Sequence, residues 1–228
     1  MTKSKNLVLF DIDGTLLRRA GPHHKQALID GIRCATGLAT HLDGVGTSGM
    51  LDRDLIAMML RAAGQSERRI RTILRDVVNE CQEAYLNNCA EDLRPSICPG
   101  MPEFLDALNS RGAVLGLVTG NLSRIGWKKM ELAGLREYFS VGAFAEDGRT
   151  RARLALVAAQ RAKCEGLVAR DCRIALIGDH PNDVAAAKAN GFLAIAVATG
   201  VGPREELEAA GPDILVETVS DLPLEAVS

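Results

Sequence analysis

The hydrophobic pattern divides the chain into short apolar runs and stretches of helical period. Residues 7–10, LVLF, are apolar at every position, as in a strand covered on both faces. Runs of the same kind follow at 113–118, 173–177, 193–198 and 213–216. Between them, 103–110, 122–133, 152–164 and 182–190 have a helical pattern, and Gly134 and Gly191 end two of those stretches. This alternation predicts an α/β fold, a doubly wound (Rossmann-like) parallel sheet with helices on both faces.

One region breaks the alternation. Residues 18–94 hold no strong strand but carry a long stripe at helical spacing: Ile70, Ile73, Leu74, Val77, Val78, Cys81, Ala84 and Tyr85, with Ser66 as N-cap. Residues 24–35 and 54–63 also have a helical pattern. The expected organisation is a catalytic core made of 1–17 and 95–228, with 18–94 inserted as a helical cap domain. The joints fall near Leu17–Arg19 and Arg94–Gly100, where PSICPG suits a hinge or re-entry turn. The basic cluster ERRIRTILR is expected to be the solvated side of the long helix.

Composition narrows the partners. Aromatic residues make up 4% and the formal net charge is -2, which argues against nucleic acid and against an anionic membrane surface. No apolar run approaches a membrane span, and the polar start MTKSKN is unlike a secretory leader, so a cytoplasmic location is expected. The six cysteines form no C-x-x-C pair and are expected to be small buried hydrophobes.

The chemistry gathers where the strands end. In a doubly wound sheet ligands bind beyond the carboxyl edge. Asp11, Asp13 and Thr15 follow the first run; Thr119, Gly120 and Asn121 follow 113–118; Gly178, Asp179 and Asp183 follow 173–177. Close carboxylates repel one another, and a hard divalent cation relieves that repulsion. A cluster of this kind implies a metal, with Mg²⁺ favoured.

The motif DIDGTLL, the turn VTGN and the stretch IGDHPNDVAAAKANG, in that order, resemble the haloacid dehalogenase-like superfamily, specifically its phosphoglycolate phosphatase-like members with a helical cap. PGMPEFLDAL is similar to the segment by which that family re-enters its core, and GLREYF to the lead into its third strand. The resemblance implies that Asp11 is a nucleophile forming an aspartyl-phosphate and Asp13 the acid and base. It implies that Mg²⁺ is held by Asp11, the backbone carbonyl of Asp13, and Asp179, with Asp183 acting through water or on a cation. Thr119, Gly120 and Asn121 would bind the phosphoryl group.

The family's third motif expects a lysine where this chain has GRTRARLAL. Two cations compete for the role, Lys129 and Arg151, with Lys129 preferred and Lys128 expected to face solvent. Arg18, Asp52 and Arg53 are the expected cap contacts to substrate. His23 and His24, just past the cap linker, are expected in a solvated loop, with a position facing substrate as the alternative, and His180 in a supporting or surface position. The expected function is Mg²⁺-dependent hydrolysis of a small phosphorylated metabolite by a monomer or homodimer. The alternatives are a phosphomutase, a haloacid dehalogenase (which needs neither metal nor Asp13) and a non-catalytic regulatory protein.

Overall fold

Six parallel strands form one sheet in a computed structural model that describes residues 3–18, 22–42, 47, 49–89 and 91–227. In chain order the elements begin with β1 (Ser4–Phe10), then three helices, α1 (His23–Thr36), α2 (Asp52–Ala62) and α3 (Glu67–Asn88). They continue with α4 (Met101–Ser110), β2 (Val114–Val118), α5 (Ser123–Leu132), β3 (Phe139–Ala143), α6 (Arg151–Cys164) and β4 (Val168–Gly178). The chain closes with α7 (Pro181–Ala189), β5 (Leu193–Val197), α8 (Arg204–Ala210) and β6 (Ile214–Val216). The strand order is β3-β2-β1-β4-β5-β6, so the order reverses at β1, between β2 and β4. That reversal is where a crevice opens in such sheets.

The continuous apolar run at 7–10 serves two cores at once. Leu7 and Leu9 join the cluster containing Leu154, Ala158 and Val184, while Val8 and Phe10 join the opposite one with Leu105, Leu117 and Ile195. Successive side chains of a strand point to opposite faces, so a strand with no polar position must be covered twice. Phe10 also meets Phe104 and Phe139 edge-on, at 6.3 and 6.0 Å between ring centroids.

β3 was not visible as an apolar run; Phe139–Ala143 reads FSVGA, too short and glycine-broken to stand out. β4 is also longer than the run at 173–177. Its first half, 168–173, buries only Val168 and carries exposed Arg170, Asp171 and Arg173, so hydropathy gives little signal there.

The three inserted helices pack on one another and onto the same cluster as Leu7 and Leu9. The α3 stripe is buried as its spacing required, apart from half-buried Leu74 and Ala84, and Ser66 caps the helix by accepting from the Arg69 amide at 3.2 Å. Arg68, Arg69, Arg71 and Arg75 face solvent. Gly31 lets α1 and α3 approach; a Cβ there would lie 2.4 Å from the Cys81 Cα. The two chain passages into and out of this insertion run side by side. Arg18 N donates to Ser96 O at 2.8 Å, and Cys98 N to Leu16 O at 3.0 Å. Arg19, the end of the first expected joint, lies outside the described residues.

The cysteines depart from expectation in part. Cys81, Cys89 and Cys98 are buried, but Cys34 and Cys164 are exposed and Cys172 is half-buried; all are free thiols. Among the described residues no helix is long and apolar enough to cross a membrane.

Candidate active site

Every polar group expected at the carboxyl edge of the sheet is there. Asp11 follows β1 and continues its ladder, its amide donating to Ile177 O at 3.0 Å. Thr119 does the same from β2, donating to Ala143 O at 3.2 Å. Asp179 follows β4 directly, and Asp183 stands in the first turn of α7. Oxygens of Asp11, Asp179 and Asp183 all lie within 4.8 Å of one another, and the three residues are buried.

Burial and mutual repulsion leave this cluster short of positive charge. Burial, with Asp11 and Asp183 beside it, pushes the Asp179 carboxyl well above the carboxylate range. Burial also raises Asp183; Arg151 opposes that rise without cancelling it. Arg151 is itself buried and donates through Nη1 to Asp11 Oδ1 at 2.9 Å and to Val118 O at 3.2 Å. Its Nε stands 3.3 Å from Asp183 Oδ1 without a hydrogen bond, so that buried oxygen has no donor. Three converging carboxylates with an orphaned oxygen fit a hard divalent cation in this position.

Two glycines make the cluster possible. A Cβ on Gly14 would lie 2.0 Å from Asp179 Oδ2, and one on Gly200 would lie 1.9 Å from it. Gly14 also needs a left-handed φ of 95°, closing the turn by donating to Leu17 O. Thr15 Oγ1 donates to Asp179 Oδ1 at 2.9 Å. Sequence reasoning did not assign Gly14, Thr15 or Gly200 a role. For Gly200 the signal was available, since it lies just past the apolar run at 193–198.

Asp13 is set apart from this cluster. Its carboxylate receives Lys129 Nζ at 2.7 Å on each oxygen and Asn121 Nδ2 at 2.7 Å. Burial works to raise the Asp13 carboxyl, but the Lys129 ammonium and its hydrogen bonds outweigh that and lower it. Lys129, the preferred candidate, is therefore not the cation beside Asp11. Each cation takes one carboxylate of the DID motif, Lys129 on Asp13 and Arg151 on Asp11. Lys128 instead pairs with Glu131 at 3.2 Å on the half-exposed side of α5.

A cavity of about 260 Å³ opens above these groups. Asp11, Asp13, Thr119, Gly120, Asn121, Arg151 and Asp179 line its floor; α1 supplies His24 and Lys25, α2 supplies Asp52 and Leu55, and Met50 lies just ahead of α2. Gly120 is forced by this contact, because a Cβ there would lie 2.4 Å from Met50 O. Arg18 and Asp52 reach the cavity as expected, but Arg53 does not line it and points to Glu146 O at 3.5 Å. Nor are the two histidines in a solvated loop. They open α1: His23 pairs with Glu91, while His24 lines the cavity between Lys129 and Asp52. His180 caps α7, its Nδ1 accepting from Asn182 N at 3.1 Å, and its ring packs against Gly49.

An acidic cluster past the carboxyl edge of a parallel sheet, with the carboxylate next to it held by a lysine, suits a divalent cation and phosphoryl chemistry. The chain belongs to the haloacid dehalogenase-like hydrolase family, whose family model matches residues 5–191. It is 30% identical over 233 residues to a phosphoglycolate phosphatase of Synechococcus elongatus, covering 97% of this chain and 96% of the relative. In fold it is similar to a hydrolase from Pseudomonas syringae (TM-score 0.66, 19% identity, 98% and 97% of the two chains). It is also similar in fold to a β-phosphoglucomutase from Clostridium difficile (TM-score 0.68, 17% identity, 100% and 96%). Family and full-length relative together make the chain an enzyme, a hydrolase of the phosphatase kind.

Proposed function

We propose that the chain hydrolyses a small phosphorylated metabolite through an aspartyl-phosphate on Asp11, with Mg²⁺ held by Asp11, Asp179 and the Asp13 backbone carbonyl. The observation that carries this reading is the meeting of Asp11, Asp179 and Asp183 within 4.8 Å, with Asp11 and Asp179 on the floor of a cavity that Asp13 also lines. A bound Mg²⁺ supplies positive charge to the cluster and to the phosphoryl oxygens.

The chain's own residues divide the remaining work. An Asp11 carboxylate oxygen attacks phosphorus while the bond to the leaving oxygen breaks and Asp13 gives that oxygen a proton. Water then attacks the aspartyl-phosphate, Asp13 takes its proton, and the bond to Asp11 breaks. Asp13 is held ionised by Lys129, ready for the second step. An arriving phosphate dianion opposes that charge and favours protonation for the first. Arg151 offsets the like-charge approach of Asp11 and phosphate. Thr119, Gly120 and Asn121 line the cavity, where the Thr119 hydroxyl and the Gly120 amide would donate to the phosphoryl group, joined by the Asn121 amide once it leaves Thr119 Oγ1, to which it donates at 3.3 Å.

The insertion 18–94 acts as a cap that excludes water, with its hinge at the paired passages near Leu17 and Arg94–Gly100. The cavity suits a small substrate, and the relative's name makes phosphoglycolate the first compound to try. Free thiols accord with a cytoplasmic location.

Incubation with p-nitrophenyl phosphate tests the reading. Release of p-nitrophenol that requires Mg²⁺ and is lost in Asp11→Asn is expected. Metal-independent chloride release from a haloacid, or turnover that survives Asp11→Asn, would overturn it.

A further inference from the structure

Lys129 is fully buried, so each of its three N–H groups needs an acceptor inside the protein. Two go to Asp13. The third meets His24 Nδ1 at 3.1 Å, and His24 belongs to the insertion. The other side of the ring, His24 Nε2, lies 2.9 Å from Asp52 Oδ2, and that same oxygen accepts from the Leu122 amide at 2.8 Å.

These partners leave one arrangement for the imidazole. An ammonium can only donate and an ionised carboxylate can only accept. Nε2 therefore carries the hydrogen and Nδ1 presents its lone pair to Lys129. The Tyr85 ring meets the imidazole edge-on at 6.1 Å and limits its swing.

The same contacts seat the insertion on α5, the helix that carries Lys129. The first amides of that helix find acceptors on both sides of the cavity. Leu122 N is taken by Asp52 and Arg124 N by Gln82, both from the insertion, while Ser123 N is taken by Glu146. Asp52 N also donates to Gly120 O at 2.8 Å. Movement of the insertion away from this seat withdraws the acceptor that completes Lys129.

We propose that His24 is a positioning residue delivered by the insertion: by accepting from Lys129 it holds the ammonium against both oxygens of Asp13, so this pair is complete only when the insertion is seated. The proposal rests on the reading of Asp13 as acid and base. His24 need not touch substrate to act; its effect runs through Lys129.

A double-mutant cycle on the full chain tests it. His24→Leu lowers kcat for p-nitrophenyl phosphate about tenfold, the scale of a lost hydrogen bond to a buried charge, while KM changes less than about twofold. In a Lys129→Met background the same substitution costs nothing further. His24→Asn, whose side-chain oxygen can occupy the place of Nδ1, recovers part of the loss; His24→Gln, whose amide reaches the place of Nε2 and leaves that of Nδ1 without an acceptor, replaces His24→Leu in the cycle if that variant does not fold. Equal losses in both backgrounds, or unchanged kcat in His24→Leu, overturn the proposal.

Nitrogen-15 NMR of His24 gives a readout free of turnover. An unprotonated Nδ1 whose resonance moves in Lys129→Met is expected; a protonated Nδ1 overturns the proposal. If the wild-type protein turns over no phosphoester, the proposed function fails and the NMR result alone decides whether the His24–Lys129 contact exists.

Discussion

Gly200→Ala is a small change with a calculable effect on the acidic cluster. The new methyl carbon would stand 1.9 Å from Asp179 Oδ2 and 2.7 Å from its Cγ, where contacts below 3.0 Å are not found. The carboxylate must retreat by about 1 Å, several times the ~0.2 Å within which metal–ligand distances are held. It has no free direction, since Gly14 packs against the same oxygen and Thr15 Oγ1 holds the other at 2.9 Å. Gly200 does not have a positive φ, so alanine adds no backbone strain of that kind. We expect the fold to survive at a cost of about 1–3 kcal/mol, the usual range for overpacking. Half-saturation by Mg²⁺ should rise roughly 10–100-fold, as when the support of a metal ligand is disturbed. Gly202→Ala, two residues on in open space, is the control and should match wild type. The assay is initial rate against Mg²⁺ concentration, with thermal unfolding of the metal-free proteins alongside. If Gly200→Ala and Gly202→Ala show the same Mg²⁺ dependence, Asp179 does not hold the ion.

Three further outcomes follow from the same geometry. Burial and like charge raise Asp179 and Asp183, so the folded metal-free protein binds protons there that the unfolded chain releases near pH 4. Its stability should therefore fall as pH rises from about 4 through neutrality, and added Mg²⁺ should restore it with an affinity that increases over the same range. A flat thermal-unfolding midpoint across that range without metal would count against the cluster. Arg151→Met removes the cation between Asp11 and Asp183 and should lower kcat/KM at least about 100-fold, the scale of a lost charge-stabilising donor, with Arg151→Lys retaining more activity. Equal, full activity in Arg151→Met and Lys129→Met would discard both cations. Gln82→Ala deletes the acceptor for Arg124 N and Ser123 Oγ, and should cost about 1–2 kcal/mol, read as a drop of roughly 2–8 °C in unfolding temperature.

Much was legible along the chain because strand burial and strand-end chemistry are local. LVLF had to be covered twice, and the aspartates beyond it had to stand at the sheet's carboxyl edge whatever the remaining packing. The α3 stripe likewise declared its buried side by spacing alone. β3 and the first half of β4 were not legible, since short or exposed strands are held by ladder bonds to their neighbours rather than by their own hydropathy.

What the linear order could not decide was which cation meets which carboxylate. Lys129 and Arg151 lie 116 and 140 positions from their partners Asp13 and Asp11, and only the crossing of α5 and α6 over the sheet assigns them. The same holds for His24, which the sequence places at most near substrate and not beside Lys129. The insertion carries its ring to Lys129 across 105 positions, where an ammonium sealed from water requires a third acceptor. Periodicity and end-chemistry belong to short windows of sequence; pairing of buried charges belongs to the folded chain, because its energy depends on distance and on the exclusion of water.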